Sequence, residues 1–394
     1  MDSVQPIIAD RLRDVPRSFI REILKVTLDP EVISFAGGLP NRKFFPVEAL
    51  REASDRVYRE RGEAVLQYGN SEGLLDLREY IAERYAEKQG LTIDPATILI
   101  TNGSQQGLDL ISKTLLNEGD GLLIEEPGYL GAIQAFSIYR PRFLPVPVGD
   151  GGMDVEALEE TLSSADPRLI YTVPNFQNPS GISYPKANRK AVAELVASSG
   201  AYLIEDNPYG ELRFKGESAA SFARYLPEQT ILLGSFSKVV APGFRLGWIA
   251  APQALYEKLL IAKQASDLHT THFTQAVILE YLRHNNLDDH LATICKAYGD
   301  QCRAMRQSIA SHFPSTISCT DPDGGMFLWA RLPEGMAALD LFEEAAKRKV
   351  VFVPGDPFYI SRERVNSLRL NFSCVDEETI ERGIAVLGEV MHRF

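Results

Sequence analysis

The residue best placed to do chemistry is Lys238, which lies just past a short apolar segment. Residues 230–233 form a β-compatible apolar run that ends at Gly234, which is typical of a buried strand. Lysine is rarely buried without a partner, yet Phe236 and Val239 flank this one. Apolar surroundings destabilise an ammonium, so the pKa of Lys238 should fall and its amine should become a nucleophile suited to Schiff-base chemistry. The alternative is a strand-end lysine whose amine reaches water.

Polar neighbours of this lysine favour the chemical interpretation. Ser235 and Ser237 supply small hydroxyl donors, and Arg245 supplies a planar guanidinium that suits a phosphate group. An amine, two hydroxyls and an arginine so close together in the chain describe a pocket for a phosphorylated aldehyde.

The segment Ser-Phe-Ser-Lys-x-x-x-Pro-Gly-x-Arg-x-Gly-Trp at 235–248 resembles the lysine motif of fold-type I pyridoxal-phosphate enzymes of the class I/II aminotransferase family. Matching segments run from about Arg17 to the C-terminus, and the chain looks similar to the 2-aminoadipate and broad-specificity branch. The resemblance implies pyridoxal 5′-phosphate (PLP) as cofactor, held by Lys238. It also implies a ping-pong aldimine mechanism that moves an amino group from an L-amino acid to a 2-oxo acid.

Apolar runs alternate with helical stretches between about residues 95 and 250. Strands are predicted over seven segments: 98–101, 121–125, 142–148, 169–173, 201–205, 230–233 and 247–251. This alternation indicates an α/β fold whose mostly parallel seven-stranded sheet lies between helices, which is the PLP-transferase fold type I that the resemblance implies. In such sheets ligands bind beyond the carboxyl ends of the strands, so the chemical residues should cluster there.

The chain is predicted to divide into three parts. Residues 1–40 would form an N-terminal arm and helix packed with the small domain and active site, residues 41–285 the large PLP-binding domain, and residues 286–394 a smaller α+β domain. In this last part strands are predicted over 325–332, 350–354 and 367–373, and helices over 338–347 and 376–393.

A candidate phosphate site follows the first predicted strand. Gly103 allows a tight turn, after which Ser104, Gln105 and Gln106 should present free N–H groups at the positive end of a helix. These groups, with the polar side chains already named beside Lys238, are predicted to hold the cofactor phosphate. A plain N-cap by Ser104 is the alternative.

Residues at other strand ends match positions that contact the cofactor ring in the family. Asp206 ends an apolar strand, where a carboxylate needs a cationic partner such as a protonated pyridine nitrogen. The resemblance implies that Asn178 and Tyr209 contact the phenolic oxygen of the ring and that Tyr129 stacks on its face. An aspartate at a strand end is otherwise often a metal ligand or a cap.

Substrate binding is assigned by the same resemblance to four residues. Arg369 would bind the α-carboxylate, for which the guanidinium geometry is suited. The alternative is that Arg369 simply lies on an exposed polar face of its strand. Gly38 lies in a segment that closes over the substrate, and Asn178 lies beside it. Arg21, in a helix predicted over 17–27, would select an acidic side chain, unless its basic stripe is simply a solvated face.

Tyr68 precedes a helix that is predicted to be capped near Ser71. In the family this tyrosine crosses a dimer interface to the partner's cofactor phosphate, so the resemblance implies a homodimer with shared active sites. The alternative is a half-buried interface tyrosine with no contact to the cofactor.

Composition excludes several classes of protein. The formal net charge of −12 disfavours a nucleic-acid surface, and no stretch has the length and apolarity of a transmembrane helix. The N-terminus lacks a signal-peptide pattern, so a cytoplasmic location is expected, with reduced thiols at the four scattered cysteines. His269 and His272 are three apart, but no further ligand is suggested nearby, so no metal is predicted.

Some alternatives remain open from the sequence. β-Elimination and decarboxylation need the same lysine and aspartate, so the motifs do not exclude them. A ligand-sensing module of the kind fused to DNA-binding regulators, or a vestigial fold without cofactor, is the alternative from another class. The substrates are expected to be glutamate and 2-oxoglutarate as one pair, with 2-aminoadipate, aromatic or branched-chain substrates as the other.

Overall fold

The structure is a computed structural model that describes residues 7–13, 15, 29–360 and 364–393. The helix predicted over 17–27, including Arg21, lies outside the described residues. No helix in the described ranges is long and apolar enough to cross a membrane.

Helices make up most of the surface layers. In chain order, the α-helices of the described ranges are α1 (Asp10–Arg13), α2 (Val47–Leu66), α3 (Leu75–Gln89), α4 (Ser104–Leu115), α5 (Leu130–Ser137), α6 (Val155–Ser164), α7 (Lys186–Ala197), α8 (Gln253–Asp267), α9 (His272–His284), α10 (Leu287–His312), α11 (Ala338–Lys347) and α12 (Glu377–Met391). The predicted boundary at residue 285 falls between α9 and α10, and the domain boundaries themselves stay a prediction.

Within the described ranges the strands form three sheets. In chain order they are β1 (Ile33–Ser34), β2 (Ile98–Thr101), β3 (Gly121–Glu126), β4 (Arg142–Gly149), β5 (Gly152–Met153), β6 (Pro167–Thr172), β7 (Tyr202–Asp206), β8 (Thr230–Ser235), β9 (Gly247–Ala250), β10 (Ser318–Cys319), β11 (Phe327–Arg331), β12 (Val350–Val351), β13 (Val353–Pro354) and β14 (Ser367–Asn371).

The large sheet has the order β2-β9-β8-β7-β6-β3-β4-β5. Neighbours from β8 to β4 run parallel, whereas β9 is antiparallel to β2 and β8, and β5 is antiparallel to β4. All seven predicted strands are present, and the mostly parallel α/β sheet is confirmed. The two-residue strand β5 adds an eighth strand that was not predicted.

Both faces of this sheet are buried, which explains the continuous apolar runs in the sequence. Consecutive residues point to opposite faces, so Leu203 packs in one hydrophobic core with Val192 of α7, while Ile204 packs in the other with Leu108 of α4. The helices therefore cover both sides, and the functional side chains can reach solvent only at the ends of the strands.

The C-terminal region carries a four-stranded antiparallel sheet, β10-β11-β14-β13, and the N-terminal segment is attached to it. Strand β1 pairs parallel with β12, so residues 33–36 lie beside the C-terminal strands. The segment predicted as one strand over 350–354 is split at Phe352, because β12 pairs with β1 and β13 pairs with β14. The α+β character predicted for this part agrees with these elements.

Candidate active site

A cavity of about 330 Å³ lies at the carboxyl ends of β3, β6, β7 and β8. Twelve of the predicted site residues line it: Gly38, Ser104, Gln105, Tyr129, Asn178, Asp206, Tyr209, Ser235, Ser237, Lys238, Arg245 and Arg369. Strand ends, a helix start and the last strand of the C-terminal sheet therefore meet at one site, as expected for a sheet of this kind.

Lys238 follows β8 and points into the cavity. Its Nζ donates a hydrogen bond to the carbonyl oxygen of Gly38 at 2.8 Å and lies 5.8 Å from the centroid of the Tyr209 ring. Burial lowers the pKa of Lys238 from 10.5 to about 8. A substantial fraction of the amine is therefore in its neutral, nucleophilic form at physiological pH, which agrees with the lowered pKa predicted from the sequence.

Asp206 is the last residue of β7, and only 1% of it is exposed. Its Oδ2 accepts a hydrogen bond from the Tyr171 hydroxyl at 2.8 Å, but its Oδ1 is buried without a hydrogen-bond partner among the described residues. Burial raises the pKa of Asp206 from 3.8 to about 7. A buried carboxylate oxygen without a partner is costly, so a cation or N–H donor in the cavity would stabilise it.

Asn178 links the ring side of the cavity to the substrate side. Its Nδ2 donates to the Tyr209 hydroxyl at 3.4 Å, and its Oδ1 accepts from Nη1 of Arg369 at 2.7 Å. Burial raises the pKa of Tyr209, so its hydroxyl keeps its proton at neutral pH and is available as a donor. The three side chains form one chain of hydrogen bonds across the cavity.

Arg369 on β14 is buried, with 1% exposed, so the exposed-face alternative is wrong. Its Nη2 donates to the carbonyl oxygen of Ala36 at 2.7 Å, and its guanidinium lies 4.4 Å from the centroid of the Phe327 ring. Burial lowers the pKa of Arg369 to about 10, and its Nε has no hydrogen-bond partner in the part of the chain that the structure describes. A buried cation with a spare donor is suited to an anionic ligand.

The opposite end of the cavity is formed by the turn before α4. Gly103 is the N-cap, with φ +74°, and no side chain caps the helix, so the N-cap alternative for Ser104 is wrong. Ser104 and Gln105 are the first residues of α4, and N–H groups at these positions have no carbonyl partner within a helix. Glycine is favoured here because its φ of +74° is one that other residues rarely adopt, and a Cβ would also lie 2.6 Å from Nη2 at the flexible end of Arg245.

Arg245 and the two serines complete this end. Arg245 has φ +51° and follows the 3₁₀ turn Pro242–Phe244, which places its exposed side chain against the start of α4. Ser235 Oγ accepts a hydrogen bond from the N–H of Ser237 at 3.1 Å. This end of the cavity therefore combines backbone N–H groups, hydroxyls and a guanidinium, which are donors suited to an anion.

Tyr129 immediately precedes α5 and lines the cavity between the two ends. Its ring passes close to Gly131, where a Cβ would lie 2.5 Å from the Tyr129 hydroxyl. Burial raises the pKa of Tyr129 to about 12, so the ring is an uncharged aromatic wall.

Two predicted residues of the described chain do not line this cavity. The N–H of Gln106 donates to Gly103 O at 3.2 Å and its side chain bonds Asp267, so it is not one of the free donors that were predicted. Tyr68 is 78% exposed. Its ring centroid lies 5.8 Å from that of His269, and the two rings are nearly perpendicular. Its contact with a partner's cofactor stays a prediction.

The helix after Tyr68 begins at Leu75 rather than near Ser71, so the predicted cap is wrong. The N–H of Gly73 donates to Asn70 O, and Gly73 has φ +97°, which makes this segment a turn. The end of this turn is held by Gln275, whose Oε1 accepts a hydrogen bond from the N–H of Leu74 at 2.8 Å.

Several residues of the cavity were not predicted. The cavity is also lined by Leu39, Val173, Pro208 and Pro242. Tyr171 orients Asp206 through the hydrogen bond that its hydroxyl donates. Tyr171 lies in β6 and Val173 directly follows it, so the period of two predicted for a strand over 169–173 assigns both side chains to one face. No comparable signal pointed to Leu39.

Comparisons with known proteins agree with this geometry. The family model "Aminotransferase class I and II" matches residues 31–387. An aromatic-amino-acid aminotransferase from Thermococcus litoralis is 41% identical over 95% of this chain and 91% of its own length. A 2-aminoadipate transaminase from Thermus thermophilus is 41% identical over 96% of this chain and 94% of its own length.

A solved structure is also similar. The crystal structure of alpha-aminoadipate aminotransferase from Thermus thermophilus, complexed with N-(5′-phosphopyridoxyl)-L-leucine, has a TM-score of 0.91 at 39% identity, covering 98% of this chain and 97% of that one. The chain therefore belongs to the class I and II aminotransferase family. It is a PLP-dependent aminotransferase of fold type I.

The residues present fit this cofactor. The partnerless Oδ1 of Asp206 could accommodate a protonated ring nitrogen, and Lys238 would supply the amine for the aldehyde. Ser104, Gln105 and Arg245 would supply donors for a phosphate at the other end. The described ranges contain no group of three or more His, Cys, Asp or Glu side chains that could hold a metal ion.

Proposed function

We propose that this aminotransferase uses glutamate and 2-oxoglutarate as one substrate pair, with 2-aminoadipate, an aromatic or a branched-chain amino acid and its 2-oxo acid as the other. The observation that carries the proposal is the convergence of Lys238, Asp206 and Arg369 on one cavity. The names of the two relatives at 41% identity, an aromatic and a 2-aminoadipate aminotransferase, support this choice of substrates.

The proposed roles follow from burial and charge. Bound PLP supplies an aldehyde that exchanges amines and a ring that accepts negative charge. Lys238 holds the cofactor and, when released, takes the proton from the α-carbon of the amino acid, for which its lowered pKa of about 8 is suited. Asp206 keeps the ring nitrogen protonated, because an ionised carboxylate in a buried site needs a cation beside it.

Arg369 and Asn178 orient the substrate. The guanidinium of Arg369 is fixed by Asn178 Oδ1 and Ala36 O, which leaves its remaining donors for the α-carboxylate. Gly38 closes this side of the cavity, and its carbonyl holds the Lys238 amine. Arg21, outside the described residues, is proposed to select the acidic side chain of glutamate or 2-aminoadipate.

A donor panel tests the substrate assignment. Glutamate, 2-aminoadipate, aromatic and branched-chain amino acids would each be paired with a 2-oxo acid, and the new 2-oxo acid measured. The panel would be repeated with Arg21→Ala and with Arg13→Ala, a control whose arginine forms a surface ion pair with Asp10.

Selective loss of the acidic donors in Arg21→Ala, with no change in Arg13→Ala, supports the assignment. Equal loss of every donor rejects the role of Arg21. Release of ammonia or carbon dioxide in place of amino exchange would contradict the proposed reaction on these substrates.

We also propose that the protein is a homodimer in which Tyr68 reaches the partner's site. Large apolar side chains are exposed on one stretch of surface: Tyr58, Leu66, Tyr68 and Leu268 are 53%, 72%, 78% and 48% exposed. The Tyr58 ring lies 4.9 Å from that of Phe273, which connects this surface to the start of α9. Exposed apolar surface of this kind is typical of protein interfaces.

Mixing two inactive variants tests the shared site. Tyr68→Ala and Lys238→Ala proteins would be unfolded and refolded together, so that mixed dimers contain one site with both residues intact. Recovered activity well above that of either variant alone supports the shared site. A protein that sediments as a monomer, or no recovery in the mixture, contradicts it.

A further inference from the structure

A completely buried lysine lies next to the phosphate end of the cavity but does not line it. Lys263, in the last turns of α8, is 0% exposed. Its Nζ contacts three oxygens at 2.8 Å each, namely those of Gln106, Asp267 and Thr270. All three donors of the ammonium are therefore used within the protein.

The partners of Lys263 hold the turn that precedes α4. Asp267 Oδ2 accepts hydrogen bonds from Asn102 Nδ2 at 2.5 Å and from Gln106 Nε2 at 2.8 Å. Gln106 Oε1 also accepts the backbone N–H of Asn102 at 2.8 Å. Both the side chain and the backbone of Asn102 are thus fixed by one buried network.

The same network reaches the end of β2. Thr270 Oγ1, which accepts from Lys263, donates in turn to the carbonyl oxygen of Ile100 at 3.2 Å. On the opposite side of the turn, Arg245 Nη2 lies 3.5 Å from Asn102 O. The turn is therefore held from behind by the network and from the cavity side by Arg245.

Such a network is an unusual way to stabilise a fold. Burying an ammonium and a carboxylate carries a desolvation penalty that their attraction often only balances, and burial lowers the pKa of Lys263. What the network does provide is a fixed geometry for Asn102, two residues before the first N–H of α4. Because the charge of Lys263 neutralises that of Asp267, the network fixes Asn102 without adding net negative charge beside a bound phosphate.

We propose that Lys263 and Asp267 are positioning residues for cofactor binding. They hold the turn Asn102–Gly103 so that the N–H groups of Ser104 and Gln105 point at the cofactor phosphate. This inference rests on the proposed placement of that phosphate against Ser104, Gln105 and Arg245.

The direction in which one substitution changes PLP affinity distinguishes this positioning role from a simple effect of charge. Asp267→Ala removes a negative charge near the phosphate, so charge alone would tighten binding of PLP. Loss of the turn geometry would weaken it, by about tenfold if one to two hydrogen-bond equivalents are lost. The affinity of the apo-protein would be measured by fluorescence titration with PLP and with pyridoxal, which lacks the phosphate.

A weaker affinity of Asp267→Ala for PLP, with the affinity for pyridoxal unchanged, supports the proposal. Asn102→Ala, which removes the side-chain link between Asp267 and the turn but leaves the Lys263–Asp267 pair and the backbone bond to Gln106 intact, should show a selective loss of the same kind if Asp267→Ala does not fold. Lys113→Ala is the matched control, because this 40% exposed lysine contacts Ser266 beside the network without touching the turn.

Unchanged or tighter binding of PLP by a folded Asp267→Ala protein overturns the proposal, and so does an equal loss for PLP and pyridoxal. Arg245→Ala distinguishes the two levels of the inference. If Arg245→Ala binds both ligands as the unsubstituted protein does, the phosphate placement is wrong. If it loses PLP selectively while Asp267→Ala and Asn102→Ala do not, only the positioning role is wrong.

Discussion

The two ends of the cavity are built in different ways. At the ring end the side chains of Asp206, Tyr209 and Asn178 are all buried, and one oxygen of Asp206 has no partner. At the phosphate end Ser104 is half-buried, Gln105 and Arg245 are exposed, and the buried Ser235 and Ser237 are uncharged, so the donors are backbone N–H groups, hydroxyls and one guanidinium. The ring end relies on buried ionisable groups, whereas the phosphate end relies on the shape of a turn.

This difference separates catalysis from retention of the cofactor. Buried charges act on the reacting atoms through their protonation states, so substitutions at the ring end should lower kcat even when the cofactor is saturating. Donors at a helix start bind a group that does not react, so substitutions there should weaken PLP affinity and be compensated by added PLP. Substitutions at each end therefore test one side of this contrast.

Lys238→Ala should have the largest effect. Loss of the only amine assigned as both cofactor anchor and general base should lower kcat by at least about 10³-fold. The phosphate end is unchanged, so the variant should still bind PLP non-covalently. Steady-state transamination and equilibrium dialysis of PLP measure the two properties.

The control for this prediction is borohydride reduction followed by peptide mapping. Reduction should attach the cofactor to the peptide that contains Lys238 in the unsubstituted protein and to no peptide in the variant. Activity of Lys238→Ala within tenfold of the unsubstituted enzyme would contradict the assignment, and complete loss of PLP binding would break the contrast between the two ends.

Asp206→Asn should change how the stability of the apo-protein depends on pH. The folded pKa of Asp206, about 7, is above its ordinary value of 3.8, so the folded state binds the proton more tightly. Its contribution is fully present below about pH 4 and is lost as pH rises to about 7. The loss is up to about 1.4 kcal/mol per pH unit, or about 4 kcal/mol in all.

Urea unfolding of both apo-proteins between pH 5 and 8 measures this difference. The unsubstituted protein should lose stability relative to Asp206→Asn as pH rises towards 7, and the two curves should become parallel as pH approaches 8. Parallel curves over the whole range would mean that Asp206 is already ionised in the apo-protein. Ser104→Ala is the comparison from the phosphate end and should show no pH-dependent difference.

Two residues beside the cofactor ring, Asp206 and Lys238, could be predicted from their own positions in the sequence, whereas Asn178 and Tyr209 were identified only through the family resemblance. Asp206 and Lys238 are ionisable residues beside apolar strands, which is an unfavourable position without a chemical purpose. Most of the seven strands could be predicted for a related reason, since strands buried on both faces are continuous apolar runs, although β4 is largely half-buried or exposed. Strand β5, with only two residues, is too short to show any period.

The support of the phosphate end could not be predicted, because its contacts are long-range. Lys263 and Gln106 are 157 residues apart, and nothing local in α8 marks Lys263 as buried. The start of α3 was misplaced for the same reason, since Gln275 binds the N–H of Leu74 from 201 residues away. Local patterns identify residues that are conspicuous themselves, but not partners brought together by the fold.

Arg369→Lys should have an intermediate effect. A lysine cannot reproduce the fixed fork that contacts both Asn178 Oδ1 and Ala36 O while binding a carboxylate. One lost charge-assisted hydrogen bond should lower kcat/KM for every donor by about 10- to 100-fold. Initial rates across donor concentrations measure this, with PLP affinity followed in parallel.

Arg331→Lys is the matched control, because Arg331 lies on the neighbouring strand β11 but is exposed. It should leave kcat/KM unchanged. If Arg369→Lys instead lowers PLP affinity with kcat/KM intact at saturating PLP, then Arg369 belongs to cofactor retention and the contrast between the two ends is drawn in the wrong place.

Ser104→Ala should have the smallest effect. The backbone N–H of Ser104 stays in place at the start of α4, so the substitution removes at most one hydroxyl donor to the phosphate. The loss should weaken PLP affinity by about 2- to 10-fold. At saturating PLP the kcat should equal that of the unsubstituted enzyme, because Ser104 touches no reacting atom in the proposed arrangement. Titration of apo-protein with PLP, followed by kcat at saturation, separates the two quantities. A fall in kcat that added PLP does not restore would show that the phosphate end also controls the chemistry, for instance by tilting the ring away from Asp206.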